Sequence, residues 1–319
     1  MMVYSPALLL ISLALIMLIS DRIIRYVLVI SRALGLSEMA AGFVILSITT
    51  SLPELSVSTV ASLAGEGGLS AGNVLGSNIA NLTIILGLAI LFSRKDIILK
   101  GGSQKELVQF LFITSIIPLF IVQRGSLGSV LGLVLLILFG YFAVTVSRKT
   151  ETNSSEEAPQ PKTDKGNLVV VGIKFSVGIV AIILLSKFAV DSSVDIAGFI
   201  GLPTSIIGAT IIGLGTSLPE LATTIQALKQ GLVNLALGNL LGSCITNITL
   251  ILGVSSLLSV SSVNVVAVQS IMFYVLVSSL TVWYMIGSNE RLTKKSAIFL
   301  CLIYAVFILQ QVGVSVFFI

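Results

Sequence analysis

One block of this sequence, an acidic motif inside an apolar run, occurs twice, 166 residues apart. Thr50-Ser51-Leu52-Pro53-Glu54-Leu55 returns as Thr216-Ser217-Leu218-Pro219-Glu220-Leu221. Gly72-Asn73, Gly76-Ser77 and Asn81 return as Gly238-Asn239, Gly242-Ser243 and Asn247. Residues 41–87 align with 207–253 without a gap, and about 22 of those 47 positions are identical. A duplication of this length and spacing means that one structural unit is built twice.

The setting of the repeat is a membrane. Charged residues make up 10% of the 319 residues and hydrophobic ones 55%, whereas a soluble domain carries about 25% charged residues. Mean hydropathy is +1.10. This excludes ordinary soluble enzymes, nucleic-acid binders and disordered chains. A bilayer-crossing helix needs about 20 mostly apolar residues. Ten such runs are legible, over 3–30, 38–63, 69–92, 105–123, 127–147, 168–197, 203–228, 233–258, 264–286 and 295–317. The expected fold is therefore an all-α polytopic membrane protein of ten transmembrane helices. The N-terminus has no basic segment of the kind that precedes a cleaved signal, so the first run is expected to be a retained span.

Residues 148–166 read RKTETNSSEEAPQPKTDKG and form a short polar linker between two five-span halves, 1–147 and 167–319. Five is odd, so the second half enters the membrane with opposite polarity, an inverted repeat typical of secondary transporters. The net charge of +4 comes from basic residues gathered in particular connections. Arg94, Lys95, Lys100 and Lys105, then Arg148, Lys149, Lys162 and Lys165, then Lys229, and finally Arg291, Lys294 and Lys295 all fall on one side of a ten-span chain. By the positive-inside rule that side is cytoplasmic, the linker with it, and both termini lie outside the cell membrane.

Glu54 and Glu220 sit near the middle of the second and seventh spans with no Lys or Arg within a helical turn. A carboxylate at bilayer depth costs several kcal/mol unless compensated. Two acids at equivalent places in inverted halves meet across the pseudo-two-fold axis, and their charge of −2 matches one divalent or two monovalent cations. An interhelical hydrogen bond with one acid protonated would explain the pair but not the oxygen donors around it. Pro53 and Pro219 cannot donate to the carbonyls of Thr49 and Gly215, so both helices are expected to break and free carbonyl oxygens. Thr50, Ser51, Thr216 and Ser217 add hydroxyls at the breaks. Ser77, Ser243, Asn81 and Asn247, in the third and eighth spans, add further neutral oxygens. A donor set of oxygens without nitrogen or sulfur suits hard cations such as Ca²⁺ and Na⁺. Histidine is absent, which removes imidazole chemistry and most zinc sites. Cys244 and Cys301 lie in apolar runs and read as buried hydrophobes. Asp21 with Arg25, and Lys187 with Asp191, are spaced i,i+4 at matching repeat positions and are expected to be structural charge pairs.

The T-S-L-P-E and G-N-x-x-G-S-x-x-x-N blocks resemble the α-repeats of the cation/Ca²⁺ exchanger superfamily, most closely the prokaryotic sodium/calcium exchangers. The resemblance covers essentially the whole chain. It implies a core of broken helices from spans 2, 3, 7 and 8, across which long tilted spans 1 and 6 slide. It also implies that Glu54, Glu220, Thr50 and Thr216 hold Ca²⁺. Flanking Na⁺ sites would use Ser47, Ser51 and Ser77 on one side, and the Gly213 backbone, Ser217 and Ser243 on the other. Asn81 and Asn247 would line the middle. The chain departs from the family at Asn247, where several members carry Asp, at Thr49, opposite Gly215, and at Ser47, where a small apolar residue is common. The large cytoplasmic regulatory loop of animal exchangers has no counterpart. No cofactor and no obligatory protein partner are expected beyond the bilayer and the transported Ca²⁺ and Na⁺. The expected activity is Na⁺/Ca²⁺ antiport by alternating access. The alternatives are H⁺/Ca²⁺ or other cation/Ca²⁺ exchange and, in a different class, a cation channel. An intramembrane enzyme is disfavoured by the lack of histidine and of a paired catalytic Asp.

Overall fold

The computed structural model describes residues 5–33, 47–93, 97–98, 103–151, 165–229, 231–258, 262–288 and 291–313. The described chain is almost wholly helical. The first half contains α1 (Ser5–Ala33), a helical segment at 47–50 leading into α2 (Leu52–Leu63), and α3 (Gly67–Phe92). It continues with α4 (Ser103–Ile116), α5 (Leu119–Arg124) and α6 (Ser129–Glu151). The second half contains α7 (Lys165–Ile200), α8 (204–216), α9 (Leu218–Lys229), α10 (Val233–Leu258), α11 (Val265–Ser288) and α12 (Lys294–Gln311). A two-residue antiparallel pairing of β1 (Ile97–Ile98) with β2 (Arg291–Leu292) ties the two halves together beside the ends of α3 and α11.

The duplication holds to the residue. Adding 166 to the bounds of α2 gives those of α9, and adding it to the bounds of α3 gives those of α10. Both breaks form where proline removes a backbone donor. Ser51 (φ −86°, ψ 12°) separates 47–50 from α2, and Ser217 (φ −85°, ψ 5°) separates α8 from α9. These angles lie in the sparsely occupied bridge region of backbone space. In spans 3 and 8 the interruption takes another form. α3 and α10 run on through π-turns at Asn81–Ile85 and Asn247–Ile251, and α8 has a third at Gly208–Ile212. In each, the third residue is a threonine whose hydroxyl donates to the carbonyl four residues earlier. Thr83 bonds Ile79, Thr210 bonds Ile206 at 2.7 Å and Thr249 bonds Ile245 at 2.6 Å. The hydroxyl thus takes up a carbonyl near the point where the π-turn shifts the hydrogen-bond register.

Six described helices are long and apolar enough to cross a membrane, those of α3, α7, residues 204–229, α10, α11 and α12; Ser5–Ile19 and Ser129–Thr145 are shorter apolar stretches. The expected fourth span is divided between α4 and α5 at Ile117-Pro118, because Pro118 has no N–H to continue the ladder. Helix continues to Glu151 and resumes at Lys165, so both ends of the polar linker are helical.

α3 and α10 are buried along most of their length, while α7 is largely exposed and presents Val169, Ile173, Val177, Val180 and Leu184 outward. The interior has two apolar clusters. The larger joins α3 and α10 to α4, α6, α11 and α12. The smaller packs Leu9, Leu13 and Ile16 of α1 and Ile182, Ala189 and Val190 of α7 against Val57 and Ala61 of α2 and Ile207 and Ile212 of α8. α1 and α7 are thus a pair laid over the core on an apolar seam of their own. Lys187 and Asp191 are both exposed on α7, and no ion pair between them is present among the described residues. The pair expected from the sequence is therefore not formed there. The Asp21 side chain lies outside the described residues.

Candidate functional site

The two breaks face each other in the middle of the core. Leu52 and Leu218 begin new helices at the breaks, so Glu54 and Glu220 fall in the first turns of α2 and α9. The free N–H groups and dipole of a helix N-terminus favour a negative charge there. Both glutamates are fully buried. Glu54 Oε1 accepts a hydrogen bond from Ser217 Oγ at 3.1 Å, across the repeat boundary. Glu54 Oε2 and both carboxylate oxygens of Glu220 have no partner at hydrogen-bond distance and angle among the described residues, although the Thr50 and Ser243 hydroxyls lie near enough to Glu220 to favour its charged form weakly. No Lys or Arg forms a salt bridge with either glutamate among those residues, and the two carboxylates lie close enough to interact electrostatically. Buried charges are ordinarily paired or bound to metal. Three unpartnered carboxylate oxygens at one fully buried place are what a bound cation would satisfy.

Neutral oxygens surround the pair in a two-fold pattern. Thr50 Oγ1 lies 3.1 Å from Ser243 Oγ and donates to Asn239 Oδ1 at 3.4 Å. Correspondingly, Thr216 Oγ1 lies 3.4 Å from Ser77 Oγ and donates to Asn73 Oδ1 at 3.2 Å. Each contact maps onto the other when 166 is added or subtracted, the reciprocal exchange that a two-fold relation produces. Ser77 Oγ donates to the Gly213 carbonyl at 3.1 Å, and the single Thr50 hydroxyl proton can turn from Asn239 to the Ser47 carbonyl, 3.3 Å away. Ser47 and Gly213 are thus neighbours of the site through their backbone oxygens. Ser51 Oγ, Asn247 Oδ1 and both amide atoms of Asn81 are buried without partners among the described residues. Of the twelve residues singled out in the sequence, Ser47, Thr50, Glu54, Ser77, Gly213, Thr216, Ser217, Glu220 and Ser243 are joined by these contacts, while Ser51, Asn81 and Asn247 are buried on the same helices.

Close approach of the backbones makes the arrangement possible. A Cβ on Gly72 would sit 2.1 Å from the Ser205 carbonyl oxygen, one on Gly76 2.2 Å from that of Ala209, and one on Gly213 2.8 Å from the Ser77 nitrogen. Only hydrogen fits at these crossings of α3 and α8.

Sequence reasoning left Asn73, Asn239 and Asn78 without a role. Asn73 holds Thr216, the Glu54 carbonyl at 3.3 Å and Ser58 at 2.9 Å. Asn239 holds Thr50 and Thr223. The signal for these two was the repeated Gly-Asn pair. Asn78 has no such signal, because its repeat partner is Cys244.

Fold and buried carboxylate pair together point to a membrane transporter made of two inverted repeats with a candidate cation site between them. Relatives support that class. The sequence profile of the family described as "Sodium/calcium exchanger protein" matches residues 4–148 and 171–313, and the chain belongs to this family of cation/Ca²⁺ exchangers. Inner membrane protein YrbG of Escherichia coli is 30% identical, with 83% of each chain covered. Sodium/calcium exchanger MaX1 of Methanosarcina acetivorans is 28% identical over 91% of this chain and 93% of its own length. Among solved structures, the sodium-calcium exchanger NCX_Mj soaked with 100 mM Na⁺ and 10 mM Sr²⁺ superposes with a TM-score of 0.63 at 26% identity, covering 96% of this chain and 98% of that one. The protein is accordingly a multi-pass membrane protein with the fold of an all-helical, inverted-repeat exchanger.

Proposed function

We propose that the protein is a Na⁺/Ca²⁺ antiporter that works by alternating access. The observation that carries the reading is the pair Glu54 and Glu220, buried with three of four carboxylate oxygens unpartnered and ringed by hydroxyl, amide and carbonyl oxygens. In this reading Glu54, Glu220, Thr50 and Thr216 hold Ca²⁺ as substrate. Ser47, Ser51 and Ser77 on one side, and Gly213, Ser217 and Ser243 on the other, supply Na⁺ ligands, with Asn81 and Asn247 between them. Several neutral hydroxyls at one carboxylate pair favour Na⁺ as the counter-ion over a proton, which needs no such coordination shell.

The charge balance sets the coupling. A fixed charge of −2 is matched by one Ca²⁺ or by two Na⁺, so the two cargoes compete for one site. Ten spans divide into repeats 1–147 and 167–319, with the 148–166 linker cytoplasmic and both termini outside. α1 and α7, packed on a separate apolar seam, slide over the core to change its access. Purified protein in liposomes tests the counter-ion. An imposed Na⁺ gradient should drive radiolabelled Ca²⁺ uptake and an imposed pH gradient should not. Uptake driven by pH alone would make the protein an H⁺/Ca²⁺ exchanger.

A further inference from the structure

The two amides in the middle of the site are not equivalent. Asn247 Nδ2 donates to Asn78 Oδ1 at 3.0 Å, and Asn78 Nδ2 donates to the Cys244 backbone carbonyl at 2.9 Å. A carbonyl oxygen can only accept, so it fixes the Asn78 amide with its NH₂ toward Cys244 and its oxygen toward Asn247. That oxygen accepts only the NH₂ of Asn247. The remaining atom, Asn247 Oδ1, is thereby turned away from Asn78, buried and without a partner among the described residues. Asn81, the repeat mate of Asn247, has both amide atoms unpartnered. At the position matching Asn78 the second repeat carries Cys244, which has no amide to orient it.

We propose that Asn78 is a positioning residue: anchored on the Cys244 carbonyl, it locks the Asn247 amide so that oxygen, not NH₂, is presented to the transported cation. The inference deepens the proposed function and rests on Asn247 as an ion ligand. An unlocked amide presents its partly positive NH₂ to the cation in one of its two orientations and must be turned before the ion binds. A locked amide is pre-organised, and affinity gains from the reorganisation avoided. Partners that orient metal ligands in this way typically govern 10–100-fold in affinity. The asymmetry also gives the two ends of the site different character despite the repeat, with one amide held by a partner amide and the other beside the Cys244 thiol.

The test measures Ca²⁺ and Na⁺ half-saturation in proteoliposomes for Asn78→Leu, Asn247→Ala and the double variant. Asn78→Leu should raise both half-saturations about tenfold with a much smaller change in maximal rate. In the Asn247→Ala background the same change should add nothing. Asn78→Ser, smaller and unable to span both partners, should act in the same direction and keeps the test open if Asn78→Leu fails to fold. Asn78→Cys combined with Cys244→Asn moves the orienting amide to the matching position, beside Asn81. That exchange should restore tight half-saturation and shift sensitivity to alanine from Asn247 to Asn81. Wild-type half-saturation in both Asn78 variants, or an equal loss with and without the Asn247 side chain, would overturn the proposal while leaving Asn247 an ion ligand. Wild-type half-saturation in Asn247→Ala would instead remove Asn247 from the ion site, and the positioning role with it.

Discussion

Replacing Gly76 by alanine tests whether backbone contact between the repeats builds the ion site. The added Cβ would lie 2.2 Å from the Ala209 carbonyl oxygen, 2.3 Å from its Cα and 2.6 Å from its carbonyl carbon. All three are backbone atoms, so no side-chain rotation relieves the overlap. Non-bonded carbon atoms rest about 3.5–4.0 Å apart, so α3 and α8 must separate by roughly 1 Å. Overpacking of this kind typically costs about 1–3 kcal/mol, which a membrane-embedded core can survive. The site cannot accommodate the shift as easily. Ser77 follows Gly76 directly, and its 3.1 Å bond to the Gly213 carbonyl and 3.4 Å contact with Thr216 span the same crossing. A further ~1 Å takes both beyond hydrogen-bonding range. The Thr50–Ser243 contact lies at the opposite side of the site and should persist. We expect Gly76→Ala to fold and insert, and to raise the Na⁺ half-saturation of Ca²⁺ uptake in liposomes by tenfold or more, a shift of about 1.4 kcal/mol. Gly140→Ala is the control, because a Cβ there meets nothing within 4 Å. Wild-type half-saturation in Gly76→Ala would refute the claim that this crossing sets the ligand geometry.

Four further outcomes follow from the same structure. Glu54→Gln and Glu220→Gln should each abolish Ca²⁺ uptake, since each removes one of two charges facing a divalent ion; wild-type uptake by both would remove the carboxylates from the site. Ser217→Ala should weaken Ca²⁺ binding more than Ser51→Ala, because Ser217 donates to Glu54 whereas Ser51 Oγ has no partner among the described residues; Ca²⁺ titration of the two variants compares them. Thr249→Val should lower thermal stability in detergent by about 1–3 kcal/mol, because it takes the hydroxyl from the buried Ile245 carbonyl; an unchanged melting temperature would contradict that role. A crosslink holding α1 to α2 should stop exchange, and full activity in completely crosslinked protein would argue against sliding.

Much of this was written in the sequence where chemistry leaves a residue-level mark. Pro53 and Pro219 announced the breaks because a missing N–H has one structural consequence, and the duplicated Glu residues marked the candidate site because burying them is costly. Charged residues marked the ends of most spans. Pro118 carried the same signal as the other two prolines, yet the run around it reads as one span because its flanks are apolar throughout. The π-turns were hidden. Asn-x-Thr at 81–83 and 247–249 has no periodicity to distinguish it from ordinary helix, and the threonine shows its purpose only once its hydroxyl is seen on the carbonyl four residues back. Ser51-x-x-Glu54 has the spacing of a capping box, but no side-chain cap forms there. Hydrogen bonding across the repeats uses such hydroxyls instead, as at Ser217 on Glu54. Asn78 was invisible because its value lies in a contact with the other repeat, and reading for symmetry passes over the position where symmetry fails.

The most direct measurement of the central claim, one cation site shared between the repeats, is equilibrium Ca²⁺ binding to the purified protein at increasing Na⁺. One Ca²⁺ should bind per chain, displaced by Na⁺ with a Hill coefficient above one, and none should bind to the Glu54→Gln, Glu220→Gln double variant. Simultaneous binding of Ca²⁺ and Na⁺ without mutual displacement, or Ca²⁺ binding that survives loss of both carboxylates, would contradict it.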